Sequence, residues 1–213
     1  MEEGQEIEID VESTEEPEEF SGGGNYCIAT ARLVSLSHYS ASKFYEVPHE
    51  EKEAHDDYEK RTWRERCNYD LDTRKVFIPA MAFKKSLDAA ASFLSEKIKG
   101  KRNATYTKHF KAGVLVTESL VLPITMDKVD GEWLFVPSDG KAGGGSRVKK
   151  CFPYVKSWSG EVTYHILDST ITQPVFQHTL VEAGNFIGVG RFRPERGGFY
   201  GRYSVESLTW LKK

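Results

Sequence analysis

The sequence has few cysteines, no long apolar run and no metal-binding spacing. Cys27, Cys67 and Cys151 lie far apart and form no Cys-x-x-Cys pair, which predicts buried thiols in a reducing compartment. No apolar stretch is long enough to cross a membrane, and the N-terminus lacks the succession of residues typical of a signal peptide. We therefore expect a cytoplasmic protein without a membrane partner. At 213 residues, 39% of them hydrophobic, the chain can bury a core without a disulfide or metal.

Two segments resemble catalytic motifs only superficially. His49 and His55 are six residues apart, whereas a zinc-binding helix needs two histidines four residues apart on one face. Gly140–Ser146 contains glycine, lysine and serine, but in the wrong order for a phosphate-binding loop. We therefore expect no metal and no cofactor.

The first 20 residues contain ten Asp or Glu and no Lys or Arg. The rest of the chain has 29 basic and 22 acidic residues, a net charge of +7. This asymmetry predicts a disordered acidic arm with a glycine hinge over residues 1–24, followed by one domain over residues 25–213. The arm is either a solubilising tail, a competitor for the basic surface of the domain, or a segment that docks on a basic partner.

Hydrophobic periodicity and turn residues divide the domain into strands and helices. Pro79 opens the clearest helix, because apolar residues recur at helical spacing behind it. The patterns predict a strand at 26–36, a charged helix at 49–66, an extended segment at 69–78, the helix after Pro79, a strand at 112–122, a hairpin at 124–136 with its turn at Asp130 and Gly131, a strand at 161–168, a helix from Thr170 or Thr172 to Ala183, and a strand at 200–211.

Without its longer connections, this order is strand, helix, strand, strand, helix, strand. It predicts an α+β fold of the ferredoxin-like or RRM-like βαββαβ type, whose antiparallel sheet carries both helices on one face. Two long insertions, 37–78 and 123–160, interrupt this core. The other face of the sheet and the insertions are then available to a ligand.

A glycine-rich run before the last strand, Ile187–Val205, combines five glycines, four arginines and four aromatic residues. Glycine lets the backbone approach a phosphodiester chain, arginine neutralises phosphate, and aromatic rings stack on bases. The alternative is a loop that closes the sheet with solvated arginines. The candidate nucleic-acid-binding residues of this run are Arg191, Arg193, Arg196, Arg202, Phe192 and Tyr200.

Two further groups of cations are candidates for phosphate contacts. Lys84 and Lys85 fall in the first turns of the helix after Pro79, where the helix dipole disfavours positive charge. The second insertion carries four more candidates: Lys141, Arg147, Lys149 and Lys150. Solvated surface lysines are the alternative for both groups.

Three segments resemble the RAMP superfamily of RRM-like proteins, and especially its Cas7-like backbone subunits. They are Arg32–Ser37 on the first strand, Phe77–Leu87 at the entry to the first long helix, and the glycine-rich run. The basic second insertion is similar to the thumb of Cas7-like proteins. The resemblance covers most of residues 25–211.

The resemblance implies sequence-independent binding of single-stranded RNA or another nucleic acid, as a subunit of a CRISPR-type ribonucleoprotein. The implied partners are the nucleic acid, copies of the same chain and other effector subunits, and the protein is then not an enzyme. Two alternatives remain open. One is a RAMP-type endoribonuclease, with His38 or Asp72 as the candidate catalytic residue. The other is a phage or mobile-element protein that binds single-stranded DNA, or that inhibits a nucleic-acid machine through its acidic arm.

Overall fold

The computed structural model describes residues 26–138 and 145–213. The predicted acidic arm and Lys141 lie outside these residues. None of the helices in these ranges is long and apolar enough to span a membrane. The strands and α-helices of these ranges are β1 (Cys27–Ser35), β2 (Tyr39–Ser40), α1 (His55–Thr62), β3 (Lys75–Ile78), α2 (Ala80–Leu94), α3 (Thr107–Gly113), β4 (Val114–Leu115), β5 (Leu120–Thr125), β6 (Asp130–Pro137), β7 (Arg147–Val155), β8 (Ser159–Ile166), α4 (Gln173–Glu182) and β9 (Tyr203–Lys212).

The central sheet contains four antiparallel strands in the order β4, β8, β1, β9. In the chain, α2 lies between β1 and β4, and α4 lies between β8 and β9. Strand, helix, strand, strand, helix and strand therefore follow one another as in a ferredoxin-like fold. The predicted fold class is confirmed.

The core lies on one face of the central sheet. On β1 the alternate residues Ala29, Ala31 and Leu33 are fully buried, because side chains alternate between the two faces along a strand. The same core contains Phe83 and Leu87, which recur at helical spacing on α2. The apolar stripe that the sequence places behind Pro79 is therefore the side of α2 that packs on the sheet.

The helical segment that begins with α4 ends later than the sequence predicts. Pro174 occupies its first turn, where a missing backbone N–H costs nothing, and Phe176 packs against Trp210 with ring centroids 5.6 Å apart. Beyond α4 the chain continues as a π turn through Gly184 instead of stopping there. A Cβ at Gly184 would lie 2.1 Å from the carbonyl oxygen of Tyr203. This glycine therefore permits close packing and does not terminate the helix.

The two insertions pair with each other. β3 of the first insertion lies antiparallel to β5, whose last three residues belong to the second. β2 of the first insertion pairs with β7 of the second, and β7 pairs with β6. The insertions therefore form two small sheets beside the central one.

The predicted strand at 112–122 and the predicted hairpin at 124–136 are wrong. Residues 107–113 form α3, β4 is two residues long, and β5 and β6 pair with different strands. Asp130 and Gly131 begin β6 instead of forming a turn. A Cβ at Gly131 would lie 2.6 Å from the sulfur of Cys151 and 2.8 Å from the ring of Trp63. The glycine is needed there for tertiary packing, which a local turn pattern does not reveal.

The cysteines are free thiols, as the sequence predicts. Cys67 and Cys151 are buried and Cys27 is half-buried. Burial raises the pKa of Cys67 to about 12 and the pKa of Cys151 to about 11. Both buried thiols therefore stay protonated at neutral pH.

Candidate nucleic-acid interface

A groove with a volume of about 1320 Å³ lies between the two insertions and the loop before β9. Its walls are residues 42–49 and α1 from the first insertion, β6 and β7 from the second, and the loop 191–200. We call it the central groove. Elements that are far apart in the sequence therefore meet around one concave surface.

Four exposed phenylalanines line the central groove. The exposed fraction is 81% for Phe44, 66% for Phe135, 65% for Phe199 and 45% for Phe192. Single exposed apolar residues are common on protein surfaces, but a group around one concavity marks a binding site. Exposed planar rings can stack on nucleobases, and such stacking tolerates any sequence because every base has a π face.

Arg191 forms part of the floor of the central groove. Its guanidinium carbon lies 3.8 Å from the ring centroid of Phe152 and 4.1 Å from that of Phe192. Nη2 lies 3.2 Å from the carboxylate of Glu132, and Nε donates to Ser40 Oγ at 3.3 Å. Burial lowers the pKa of Arg191 from its ordinary value, and Glu132 opposes this effect by stabilising the charged form. Only 13% of the side chain is exposed. Arg191 therefore connects the walls of the groove and is not free to contact a phosphate.

Phe192 lines the groove from an unusual backbone conformation. Its φ is +52°, in the left-handed region that costs a bulky residue about 1–2 kcal/mol. The amide of Tyr200 donates to the carbonyl oxygen of Phe192 at 2.9 Å, and the Tyr200 hydroxyl donates to Glu132 at 3.3 Å. Burial and the charge of Glu132 raise the pKa of Tyr200. Tyr200 therefore connects the strained backbone of Phe192 to Glu132 on β6, and this holds the Phe192 ring at the groove.

A buried ion pair fixes α1 to β7. The helix predicted at 49–66 is shorter in the structure, because α1 covers His55–Thr62 and Trp63–Arg66 form a 3-10 turn. Arg66 Nη1 lies 2.7 Å from Glu59 Oε1, and the amide of Cys151 donates to the same oxygen at 2.7 Å. Both charged side chains are buried, so breaking the pair would leave an uncompensated charge. The pair therefore fixes one wall of the groove relative to another.

Unpaired cations give the central groove a positive charge. Glu59 and Glu132, the carboxylates that line it, are each paired with an arginine. Lys43 and Lys150 also line it, and neither forms an ion pair within the described residues. Arg196 is 71% exposed in its side chain, and its Nε lies 3.9 Å from the carboxylate of Glu195. Lys43 and Lys150 are therefore the two cations placed to contact phosphates in the groove.

The glycine-rich loop packs closely on the protein's own backbone. The amide of Gly201 donates to the carbonyl oxygen of His38 at 2.6 Å, and the amide of Arg191 donates to that of Ser40 at 2.8 Å. Gly201 has a φ of +71°, and a Cβ there would lie 1.8 Å from the carbonyl oxygen of Val189. This glycine, which the sequence places in a phosphate-binding run, therefore lets the end of the loop pack on Val189 at its beginning.

Two other predicted arginines are engaged within the protein. Arg193 Nη2 lies 2.6 Å from the carboxylate of Glu195, and Nη1 donates to the carbonyl oxygen of Gly190 at 3.1 Å. Arg202 is half-buried, and its Nη1 donates to the carbonyl oxygen of Asn185. Arg196 is therefore the most exposed arginine of the glycine-rich run.

Lys84 does not have the exposed position that a phosphate contact needs. Its Nζ donates to the carboxylate of Asp88 and to the carbonyl oxygens of Phe110, at 3.0 Å, and Lys111, at 3.1 Å. These acceptors engage its three protons, so the buried Lys84 ties α2 to α3. Lys85 is exposed on α2, which does not line the groove.

The predicted cations of the second insertion lie on β7, apart from Lys141. Lys150 lines the groove. Arg147 and Lys149 are exposed but do not line the groove, and Lys149 lies directly opposite Phe135 across β6 and β7. Lys149 Nζ lies 5.0 Å from the ring centroid of Trp133. Lys150 is therefore the one of these three β7 cations that lines the groove.

The residues considered for catalysis lie outside the groove lining. His38 is half-buried and stacks on Tyr154, with ring centroids 5.1 Å apart and planes at 12°. Asp72 is exposed in the turn before β3. No group of three His, Cys, Asp or Glu in residues 26–138 and 145–213 can hold a metal ion. A catalytic role for His38 or Asp72 stays a prediction.

Within the described strands β1, β4, β8 and β9, no Phe, Tyr or Trp lies on the uncovered face of the central sheet. Thr30 on β1 lies opposite Thr163 on β8 and Thr209 on β9, so three threonines form a row across the sheet. Ile28 and Arg32 lie on the same face of β1. RRM-type recognition needs rings at such positions to stack bases. The central groove, and not the sheet, carries stacking residues.

The sequence patterns do not identify Phe44, Phe135 or Lys43 as site residues. Lys43 and Phe44 are adjacent in a polar loop. A single phenylalanine beside a lysine in such a loop is a sequence signal for an exposed binding residue. Phe135 lies between apolar neighbours on β6, which hides its exposure. Only the strand pairing in the structure shows that the second insertion packs beside the first.

Neither a scan against protein-family models nor a search of curated proteins finds a match. Among solved structures, the chain resembles one from the cryo-EM structure of the type III-B Cmr-beta bound to cognate target RNA. The TM-score is 0.55 at 11% identity, and the match covers 88% of this chain but only 61% of that chain. The chain also resembles the crystal structure of Cmr6 from Pyrococcus furiosus, with a TM-score of 0.43 at 14% identity and coverage of 84% of this chain and 98% of that chain.

At these identities the likeness concerns the fold. The match to the Cmr-beta chain agrees with the α+β fold that the sequence predicts. This chain spans 61% of the length of that chain.

Proposed function

We propose that the protein binds single-stranded nucleic acid in the central groove, without regard to base sequence. The observation that carries this proposal is the group of four exposed phenylalanines around one groove that also contains Lys43 and Lys150. Rings stack on bases and lysines neutralise phosphates, and neither contact selects a particular base. The groove combines both contacts on one surface.

RNA is the nucleic acid that we infer. The support is the likeness in fold to a chain from a complex that was solved with target RNA, together with the resemblance of the sequence to the RAMP superfamily. On the same grounds, we infer that the protein works as a subunit of a CRISPR-type ribonucleoprotein, with the RNA, copies of itself or other effector subunits as partners.

A charge-reversal experiment tests the proposal. We expect the double variant Lys43→Glu, Lys150→Glu to bind a fluorescein-labelled single-stranded RNA at least tenfold more weakly in fluorescence anisotropy. Each lost phosphate contact also lowers the slope of log K against log salt by about 0.7 for a single strand, so the slope should fall by about 1.4. A single-stranded DNA of the same sequence, measured in parallel, tests the preference for RNA.

The control reverses two exposed lysines elsewhere, in the variant Lys99→Glu, Lys101→Glu. Both double variants change the net charge equally, so the control separates a local contact from long-range attraction. Equal weakening by the two variants, or no weakening by the first, would place the nucleic acid outside the groove.

A further inference from the structure

The acidic arm contains a segment with strict alternation of acidic and apolar residues. From Glu6 to Glu12 it runs Glu, Ile, Glu, Ile, Asp, Val, Glu. In an extended chain, side chains alternate between two sides. One side of this segment would then carry four carboxylates, and the other side Ile7, Ile9 and Val11.

The central groove is complementary to such a segment. Its exposed rings Phe44, Phe135 and Phe199 offer apolar contact, and the unpaired Lys43 and Lys150 offer positive charge. The domain outside the first 20 residues carries a net charge of +7, against ten carboxylates in those residues. The same rings and cations that suit bases and phosphates suit apolar side chains and carboxylates.

The arm is long enough to reach the groove. The described chain starts at Tyr26, next to β1, whose nine residues span about 30 Å at 3.3 Å per residue. The chain then turns towards Ser40, whose carbonyl accepts from the amide of Arg191 at the groove. The 13 residues between Glu12 and Tyr26 extend to at most about 45 Å, which exceeds the length of β1.

We propose that residues 6–12 of the arm dock in the central groove of their own chain and compete there with nucleic acid. A tethered segment faces its site at an effective concentration of about 1 mM. If the docked segment has an intrinsic Kd of about 0.1 mM, the groove is open for about a tenth of the time, and the apparent affinity for nucleic acid falls about tenfold. The docking itself needs no nucleic acid, whereas its effect on RNA binding rests on the proposed function.

Two charge-matched variants of the full chain test the docking. The arm variant carries Glu6→Gln, Glu8→Gln and Asp10→Asn, and the control carries Glu96→Gln, Glu118→Gln and Asp127→Asn, three acidic residues that are exposed elsewhere. Amide NMR spectra of each variant are compared with the unchanged chain, without RNA. We expect the arm variant alone to shift amides of the groove, such as those of Phe135 and Phe199. We also expect it to bind RNA about tenfold more tightly at low salt.

Each outcome decides a separate point. Unchanged groove amides in the arm variant overturn the docking, whatever happens to RNA affinity. Equal gains in RNA affinity for both variants, with unchanged amides, mean that only net charge acts, and also overturn it. Shifts that disappear on dilution overturn docking within one chain in favour of a second copy's arm. Groove amides that shift while no variant binds RNA support the docking and contradict the proposed function.

Discussion

At the scale of single residues, the proposed binding depends on aromatic rings that remain exposed to water in the fold. Phe135 on β6 and Phe199 in the loop before β9 come from different parts of the chain, yet both line the central groove. Each leaves about two thirds of its surface exposed, 66% and 65%. A stacked base would cover this apolar area. Base stacking therefore explains why these rings are exposed, whereas core packing does not.

We predict that Phe135→Ala and Phe199→Ala each weaken the binding of single-stranded RNA. A lost stack costs about 1–3 kcal/mol, which is about 5- to 150-fold in Kd. Fluorescence anisotropy at fixed salt measures the change. The free energy of unfolding should change little, because the removed atoms are already in contact with water.

Phe93→Ala is the matched control for these substitutions. Phe93 is 63% exposed on α2, where its ring lies 5.5 Å from that of Phe186, and it does not line the groove. Its removal should leave RNA binding unchanged. A loss as large as that of Phe135→Ala would mean that RNA binds on the helical side of the protein.

Residue roles were the least predictable part of the site. Arg191 looks like a phosphate ligand in the sequence, but its partner Glu132 is 59 positions away and belongs to another element. Lys84 likewise finds two of its three acceptors on α3, at Phe110 and Lys111. A local pattern shows which residues carry charge, but only the fold shows which charges are already neutralised.

At the scale of elements, the loop before β9 acts as a rigid support for Phe192 and Phe199. It hydrogen-bonds to the segment after β1 through the carbonyl oxygens of His38 and Ser40. Gly201 is the point at which the end of the loop lies closest to its beginning, because a Cβ there would meet the Val189 carbonyl oxygen at 1.8 Å. The position of the rings therefore depends on this backbone contact.

We predict that Gly201→Ala destabilises the protein by about 3 kcal/mol or more, and Gly197→Ala by only about 1 kcal/mol. Both glycines have positive φ, +71° and +76°, so both substitutions incur the left-handed cost of about 1 kcal/mol. At Gly197 no atom lies within 4 Å of the added Cβ, whereas at Gly201 the loop must move. Urea unfolding followed by tryptophan fluorescence measures both values, and equal losses would show that the loop is not tightly seated.

Elements with a strong pattern of their own could be predicted. β1 and α2 appear where alternation and helical spacing place them, within one or two residues. Asp130 and Gly131 were misleading as a turn signal. Gly131 packs against Cys151 and Trp63, which are distant in sequence and leave no room for a larger side chain. Turn signals fail where tertiary packing needs the same residue.

At the scale of the whole molecule, the order of elements determined the fold class, but the site depends on the pairing of the two insertions. β3 and β5 meet across about 45 positions, and β2 meets β7 across more than 100. No local pattern encodes such long-range pairing, so the sequence does not show that the two insertions form one groove. The boundary between an acidic arm at 1–24 and a domain at 25–213 stays a prediction.

The path of a bound strand tests the central claim most directly. RNA that contains 4-thiouridine is cross-linked by light to the full chain, and the adducts are mapped by mass spectrometry of the digested protein. The account predicts adducts at Phe44, Phe135, Phe192 and Phe199. Adducts confined to the uncovered face of the central sheet, around Thr30, with none in the groove, would contradict it.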